Sequence, residues 1–217
     1  MQEPGPNGNR MDDREKALRE IAAAIDACRD CDLYQGATRG VPGEGDPYAR
    51  VMFIGEGPGF HEDRLGRPFV GQAGQFLDQL IQSIGLQRRD VFIANVVKHR
   101  PPNNRDPLPG EIAACKKWLD RQVEIIRPRV IVTLGRYSMN RYFPGQSISR
   151  IHGQPRRLGD VWVIPMYHPA AALHQASLRR TIEADFHQVR AVLDRLAKEE
   201  ATEPPAPEPE PQQMRLL

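Results

Sequence analysis

The stretch Val51-Met52-Phe53-Ile54-Gly55-Glu56-Gly57-Pro58-Gly59 decides the fold. Four apolar residues with no polar interruption read as a strand buried on both faces, and a glycine-rich turn follows at once. The pattern returns three times downstream. Residues 91–94 run into Asn95, residues 130–134 into Gly135, and residues 161–166 lead to His168-Pro169. Between them, apolar residues recur at helical spacing: Phe76, Leu77, Leu80, Ile81 and Ile84, stopped by Gly85, then Cys115, Trp118, Leu119 and Val123. A last helix, with Ser177 as its expected cap, carries Ile182, Phe186, Val189, Leu193 and Leu196 on one face. Strand alternating with helix predicts an α/β protein, a three-layer α/β/α sandwich around a central, mainly parallel four-stranded sheet.

Outward from this core, Leu18, Ile21, Ala22 and Ile25 mark an earlier helix, with Asp12 and Asp13 as caps. It delivers Cys28 and Cys31 at its end. Residues 35–49 are rich in Gly and Pro and read as loop. Residues 1–10 read as a disordered leader, residues 11–198 as the folded domain, and residues 199–217 as a disordered Pro/Glu-rich tail. The final QQMRLL reads either as plain tail or as a docking peptide.

At 217 residues the chain is long enough to bury a core without a disulfide framework. Its net charge of +2 hides an asymmetry: the tail holds five Glu and one Arg, so residues 1–198 carry 29 basic against 23 acidic residues, a net +6. A moderately basic domain permits nucleic-acid binding. No apolar run approaches the ~18–20 residues of a membrane span, and the polar N-terminus is no secretory signal. The expected setting is cytoplasmic. Three cysteines, two of them spaced Cys28-x-x-Cys31, suggest metal or redox chemistry there rather than a structural disulfide.

In open α/β sheets ligands bind outside the carboxyl ends of the strands. That rule selects the loop from Gly55, then Asn95, Gly135 and the His168-Pro169 turn. The glycine loop is neither a dinucleotide fingerprint nor a P-loop, because Pro58 interrupts it and no Lys-Ser/Thr follows. Asn95 can donate and accept at a base edge, or simply end a strand. His168 can donate to a developing oxyanion, or be a turn histidine. Phe69, flanked by turn residues, is either a core aromatic or a face for a stacked base. Glu62, Asp63 and Arg64 carry the pattern of a solvated charged run.

These segments, taken together, resemble the family 4 uracil-DNA glycosylases, the iron–sulfur type. Gly55-Glu56-Gly57-Pro58-Gly59, Glu62-Asp63 and Gly66-Arg67-Pro68-Phe69-Val70-Gly71 resemble the first family motif. Asn95-Val96-Val97-Lys98, then Arg100-Pro101-Pro102, resemble the middle one, and Met166-Tyr167-His168-Pro169 the second catalytic motif. The resemblance runs from about Cys28 to His187. It implies a monofunctional DNA-repair hydrolase that flips uracil out of DNA and hydrolyses its N-glycosidic bond. Implied roles are His168 stabilising charge on O2, Asn95 reading the base edge, and Glu62 positioning water. Phe69 would stack on uracil, and the backbone of Glu56 and Gly57 would hold it. Lys98 and Arg100 are expected at phosphate, Leu173 as the wedge and His174 as a further DNA contact. The alternative is a non-catalytic or covalent uracil-DNA binding module.

The resemblance also implies a 4Fe–4S cluster, with Cys28, Cys31 and Cys115 as ligands. The remaining ligand position falls on His99, giving a three-cysteine, one-histidine set. A zinc site with the same residues, or no metal, stays open. The loop after Arg100 lacks the basic, histidine-bearing insertion of a related covalent family. After Pro169 come three alanines and then Leu173, so the wedge is slight, and single-stranded as well as double-stranded uracil-DNA is the expected partner. The expected state is a monomer acting at the nucleoid, with a weak replication-clamp contact through the tail.

Overall fold

In the computed structural model Val51 and Phe53 pack on one face of a sheet, and Met52 and Ile54 on the other. Residues 12–202 are described. The leader and the tail beyond residue 202, including the expected clamp contact, lie outside the described residues.

Asp12 caps α1 (Asp13–Asp26), its carboxylate accepting the Arg14 amide. A single turn, α2 (Leu33–Gly36), and a two-residue strand, β1 (Glu44–Gly45), follow. Then comes β2 (Val51–Gly55), succeeded by α3 (Phe60–Leu65) and α4 (Gln72–Ser83). Strand β3 (Phe92–Asn95) leads through a Pro-rich turn into α5 (Pro109–Ile126). Strand β4 (Val130–Leu134) is followed by the short helices α6 (Arg136–Asn140) and α7 (Ile148–Ile151). Strands β5 (Arg156–Leu158) and β6 (Val161–Met166) precede α8 (Pro169–His174) and the long α9 (Ala176–Thr202).

The sheet order is β1-β3-β2-β4-β6-β5. The four expected strands form its parallel centre, with Phe53 opposite Ile93 on one side and Val132 on the other. The four-stranded expectation is corrected at the edges, where β1 and β5 add antiparallel strands. One core lies between the sheet and α4 with α9, the other between the sheet and α5, which gives the three layers. Burial on both faces explains why these strands are almost wholly apolar, Asn95 and Thr133 being the buried polar exceptions.

Two boundaries move. Residues 35–49 contain β1 and the end of α2 as well as loop. Helix α9 continues four residues past the expected end at 198, because Glu199 pairs with Arg195 and Glu200 with Arg50, one turn before the prolines begin. Ser177 sits inside its first turn rather than at its cap. No helix among the described residues is long and apolar enough to cross a membrane.

Candidate active site

The carboxyl ends of β2, β3 and β6 open onto a cavity of about 590 Å³. It is lined by the 56–59 loop, Asn95 and His168, with Phe69 and Glu62 from the segment around α3. Gly135, the fourth strand end singled out from sequence, lies behind Glu56 instead of in the wall.

His168 is the N-cap of α8, and Pro169 takes the first helical position, where its missing N–H costs nothing. The His168 Nδ1 accepts the Ala170 N–H at 3.1 Å. In a neutral imidazole the proton then sits on the other nitrogen, so Nε2–H is the free donor of a ring that lines the cavity. Burial pushes the His168 pKa down to about 4, outweighing an upward pull from Glu62. The ring is therefore neutral at physiological pH.

Asn95 closes β3 and is almost fully buried, yet its Oδ1 has no hydrogen-bond partner. An orphaned buried acceptor costs about 1–3 kcal/mol, and the side chain that carries it lines the cavity. Gly55 makes room for it. A Cβ there would collide with Asn95 Oδ1 and come within 2.6 Å of the Phe69 ring.

Phe69 has φ +49°, an unusual conformation for a bulky residue. Clamps on both sides hold it. Glu62 Oε1 accepts the amides of Val70 (2.8 Å) and Gly71 (2.9 Å), while Oε2 accepts that of Gly59 (3.1 Å). Arg88 donates to the carbonyls of Pro68 and Phe69 and is itself paired with Glu44 and Asp78. Glu56 is half-buried, which raises its carboxyl above the usual range, and its carbonyl accepts the Val97 amide. Gly57 packs against Val97 and Pro101, joining the first two motifs.

Of the residues expected at DNA, Leu173 and His174 are exposed on α8, and Leu173 lines the cavity mouth. Arg100 donates to Asn104 and lies over the Phe60 ring. Lys98 is a correction. It is fully buried, donating to the Asn95 carbonyl (2.8 Å) and Gln122 Oε1 (2.7 Å), so it reaches no phosphate. Burial pulls its pKa down to about 7. It braces Asn95 from beneath.

Cys28 and Cys31 are half-buried and Cys115 is buried on α5. Burial pushes the Cys115 thiol up to about 11, with smaller upward contributions from Cys31 and Cys28. His99 is buried, in the field of Arg29 and Asp26 beside Cys28. Among the described residues no three His, Cys, Asp or Glu side chains converge as a ready-made metal site.

Sequence reasoning missed the braces: Arg88, the Asp63 carboxylate on Thr38, and Glu111, which ties Arg105 and the Leu108 amide of the Pro-rich loop. Arg88 and Asp63 are charged residues in polar runs, with no local signal that their partners lie elsewhere.

The uracil DNA glycosylase superfamily model matches residues 42–194, and the chain belongs to that superfamily. Its relatives place it more narrowly. It is 48% identical to a type-4 uracil-DNA glycosylase of Sulfurisphaera tokodaii, over 83% of this chain and 84% of the relative. It is 46% identical to the Archaeoglobus fulgidus type-4 enzyme, over 80% and 92%, and 43% identical to that of Thermotoga maritima, over 83% and 96%. Within the superfamily, it is a member of the type-4 uracil-DNA glycosylases.

Proposed function

We propose that the cavity receives a uracil rotated out of DNA, and that His168, Asn95, Phe69 and the Glu56–Gly57 backbone divide the work of releasing it. The chain is a uracil-DNA glycosylase, a DNA-repair hydrolase acting on N-glycosyl bonds. The observation that carries the residue assignment is the pairing of two ready groups. These are a neutral His168 with a free Nε2–H and a buried Asn95 Oδ1 without a partner.

Flipping costs a few kcal/mol and is offset by the pocket's contacts with the base. The bond between sugar C1′ and base N1 then breaks. Its electron pair stays on uracil and spreads to O2, while the sugar becomes oxocarbenium-like. Water adds hydroxyl to C1′, and its proton balances the uracil anion. A neutral N–H preset at O2 favours the charge that develops there, a term commonly worth a few kcal/mol. Asn95 Oδ1 takes N3–H and its amide N–H faces O4. Cytosine offers the reverse pattern and leaves both groups mispaired. Phe69 supplies the aromatic floor. Glu62 Oε1 is committed to two amides, but Oε2 holds one and keeps a lone pair for a water beside the sugar.

Cys28, Cys31, Cys115 and His99 are assigned as ligands of a 4Fe–4S cluster. Three soft thiols in mutual electrostatic reach suit iron, and a metal would offset the burial that disfavours the Cys115 thiolate. The group would supply a covalent tie between the end of α1, the extension of β3 and α5. Both single- and double-stranded uracil-DNA are substrates in this reading, with Leu173 as wedge and Arg100 and His174 at the backbone.

A gel tests it. A uracil oligonucleotide, incubated with the protein, is split between alkali and denaturing detergent. Alkali-dependent cleavage is expected, lost in His168→Ala. A detergent-stable shifted band without cleavage would replace hydrolysis with covalent capture.

A further inference from the structure

Phe60, the first residue of α3, is 46% exposed at the mouth of the cavity. Phe53, Phe76, Phe92 and Phe186 are buried in the core. Packing does not hold the Phe60 ring; cations do. The Arg64 guanidinium lies 5.6 Å from its centre and that of Arg100 5.2 Å, while His61 meets it edge-on. Exposed cation–π contacts are weak, and a guanidinium binds phosphate more strongly than a ring face. A DNA strand arriving here brings phosphates for both arginines and a base for the face they leave.

We propose that Phe60 is the stacking platform for the nucleobase next to the flipped uracil, with Arg64 and Arg100 transferring from its ring to the flanking phosphates. The proposal rests on the reading of the cavity as the uracil site, and extends it to strand selection. In duplex DNA the neighbouring base is already stacked and paired. In a single strand it is free to move onto an aromatic, and such stacking tolerates any base. The platform therefore favours unpaired uracil-DNA. Leu173, also exposed at the mouth, supplies the wedge where the duplex must be opened.

The test uses single-stranded uracil oligonucleotides with 2-aminopurine on one side of the uracil or the other, and the matching duplexes. Wild type is expected to quench the fluorophore on one side. Phe60→Leu keeps an apolar side chain at an exposed position and should fold, as checked by its Tm. It should lose that quenching and raise KM on single strands about tenfold, with kcat unchanged and duplex KM little altered. Phe60→Trp should restore both. Equal quenching in Phe60→Leu, an equal KM rise on both substrates, or a fall in kcat alone would overturn the platform. Wild type that releases uracil without quenching on either side removes the platform and leaves the glycosylase reading intact. Quenching without uracil release does the reverse.

Discussion

The imidazole of His168 lies 5.4 Å from the ring of Phe69, with the two planes within 23° of parallel. The residues come from distant parts of the sequence, one from the turn after β6 and the other from the loop after α3. Each limits the other's freedom. The Ala170 amide fixes the tautomer of the imidazole, and the Phe69 ring fixes its plane. In the proposed role of His168, preorganisation of this kind would let a neutral donor act without reorienting at the moment of bond cleavage.

His168→Ala should lower kcat by about 10²–10³-fold, the usual cost of one oxyanion donor, with binding of uracil-DNA largely kept. The pH dependence follows from burial. The folded pKa is held at about 4 against an ordinary 6.5. The neutral donor thus persists as pH falls through 6.5, and kcat should decline only as pH approaches 4. For stability the unfolded chain takes up this proton first, so the contribution of His168 is full above pH 6.5 and is lost as pH falls toward 4. An acid limb of kcat near 6.5 would contradict this.

Asn95→Asp removes the amide donor and places a carboxylate against O4. It should cut kcat/KM for uracil by about 10²-fold. Gly55→Ala should act through the same atom, since the added Cβ strikes Oδ1. Steady-state kinetics on both variants checks this; Gly55→Ala with wild-type kcat/KM would mean that the Asn95 amide is free to swing.

The parallel centre of the fold was legible because strands covered on both faces must be largely apolar, as residues 51–54 are throughout and residues 130–134 are but for the buried Thr133. The edge strands were not. Glu44-Gly45 and Arg156-Arg157-Leu158 have no apolar alternation and exist as strands only through the neighbours they pair with. Asn95 and His168, singled out from their place at strand ends, both line the cavity. Arg88 was missed and Lys98 misread for one reason: a charge among polar neighbours in sequence reads as surface. Lys98 is buried because its ammonium donates to the Asn95 carbonyl and to Gln122 Oε1, 24 residues on.

Glu62→Gln replaces one carboxylate oxygen with a donor facing one of the three amides. If Glu62 works through the loop as well as through water, Tm should fall by several degrees together with kcat. Differential scanning calorimetry beside kinetics separates the roles. A lower kcat at unchanged Tm would leave only the water.

His99→Cys should raise the iron and sulfide content of purified protein or leave it unchanged. If the three cysteines and His99 hold a cluster as proposed, Cys115→Ala should abolish it and lower Tm, since a tie between α1 and α5 would be lost. Metal analysis and visible absorbance read this directly. Stoichiometric zinc without sulfide in the wild type would reassign the site.

Arg88 is the strongest test of how the pocket is held. One guanidinium serves the carbonyls of Pro68 and Phe69 and the carboxylates of Glu44 and Asp78. Lysine keeps the charge but cannot span four acceptors in one plane. Arg88→Lys should therefore relax Phe69 from its positive φ, tilt the platform under His168, and lower kcat about tenfold with KM little changed. Arg88→Met leaves Asp78 unpaired as well, while Glu44 keeps its pair with Arg67, and should cost up to a further ~1 kcal/mol of stability. The expected order of activity is wild type, then Arg88→Lys, then Arg88→Met. Equal kcat in Arg88→Lys and wild type would mean that the Glu62 clamp alone holds the Phe69 loop, and the double variant Arg88→Lys with Glu62→Gln would then carry the whole loss.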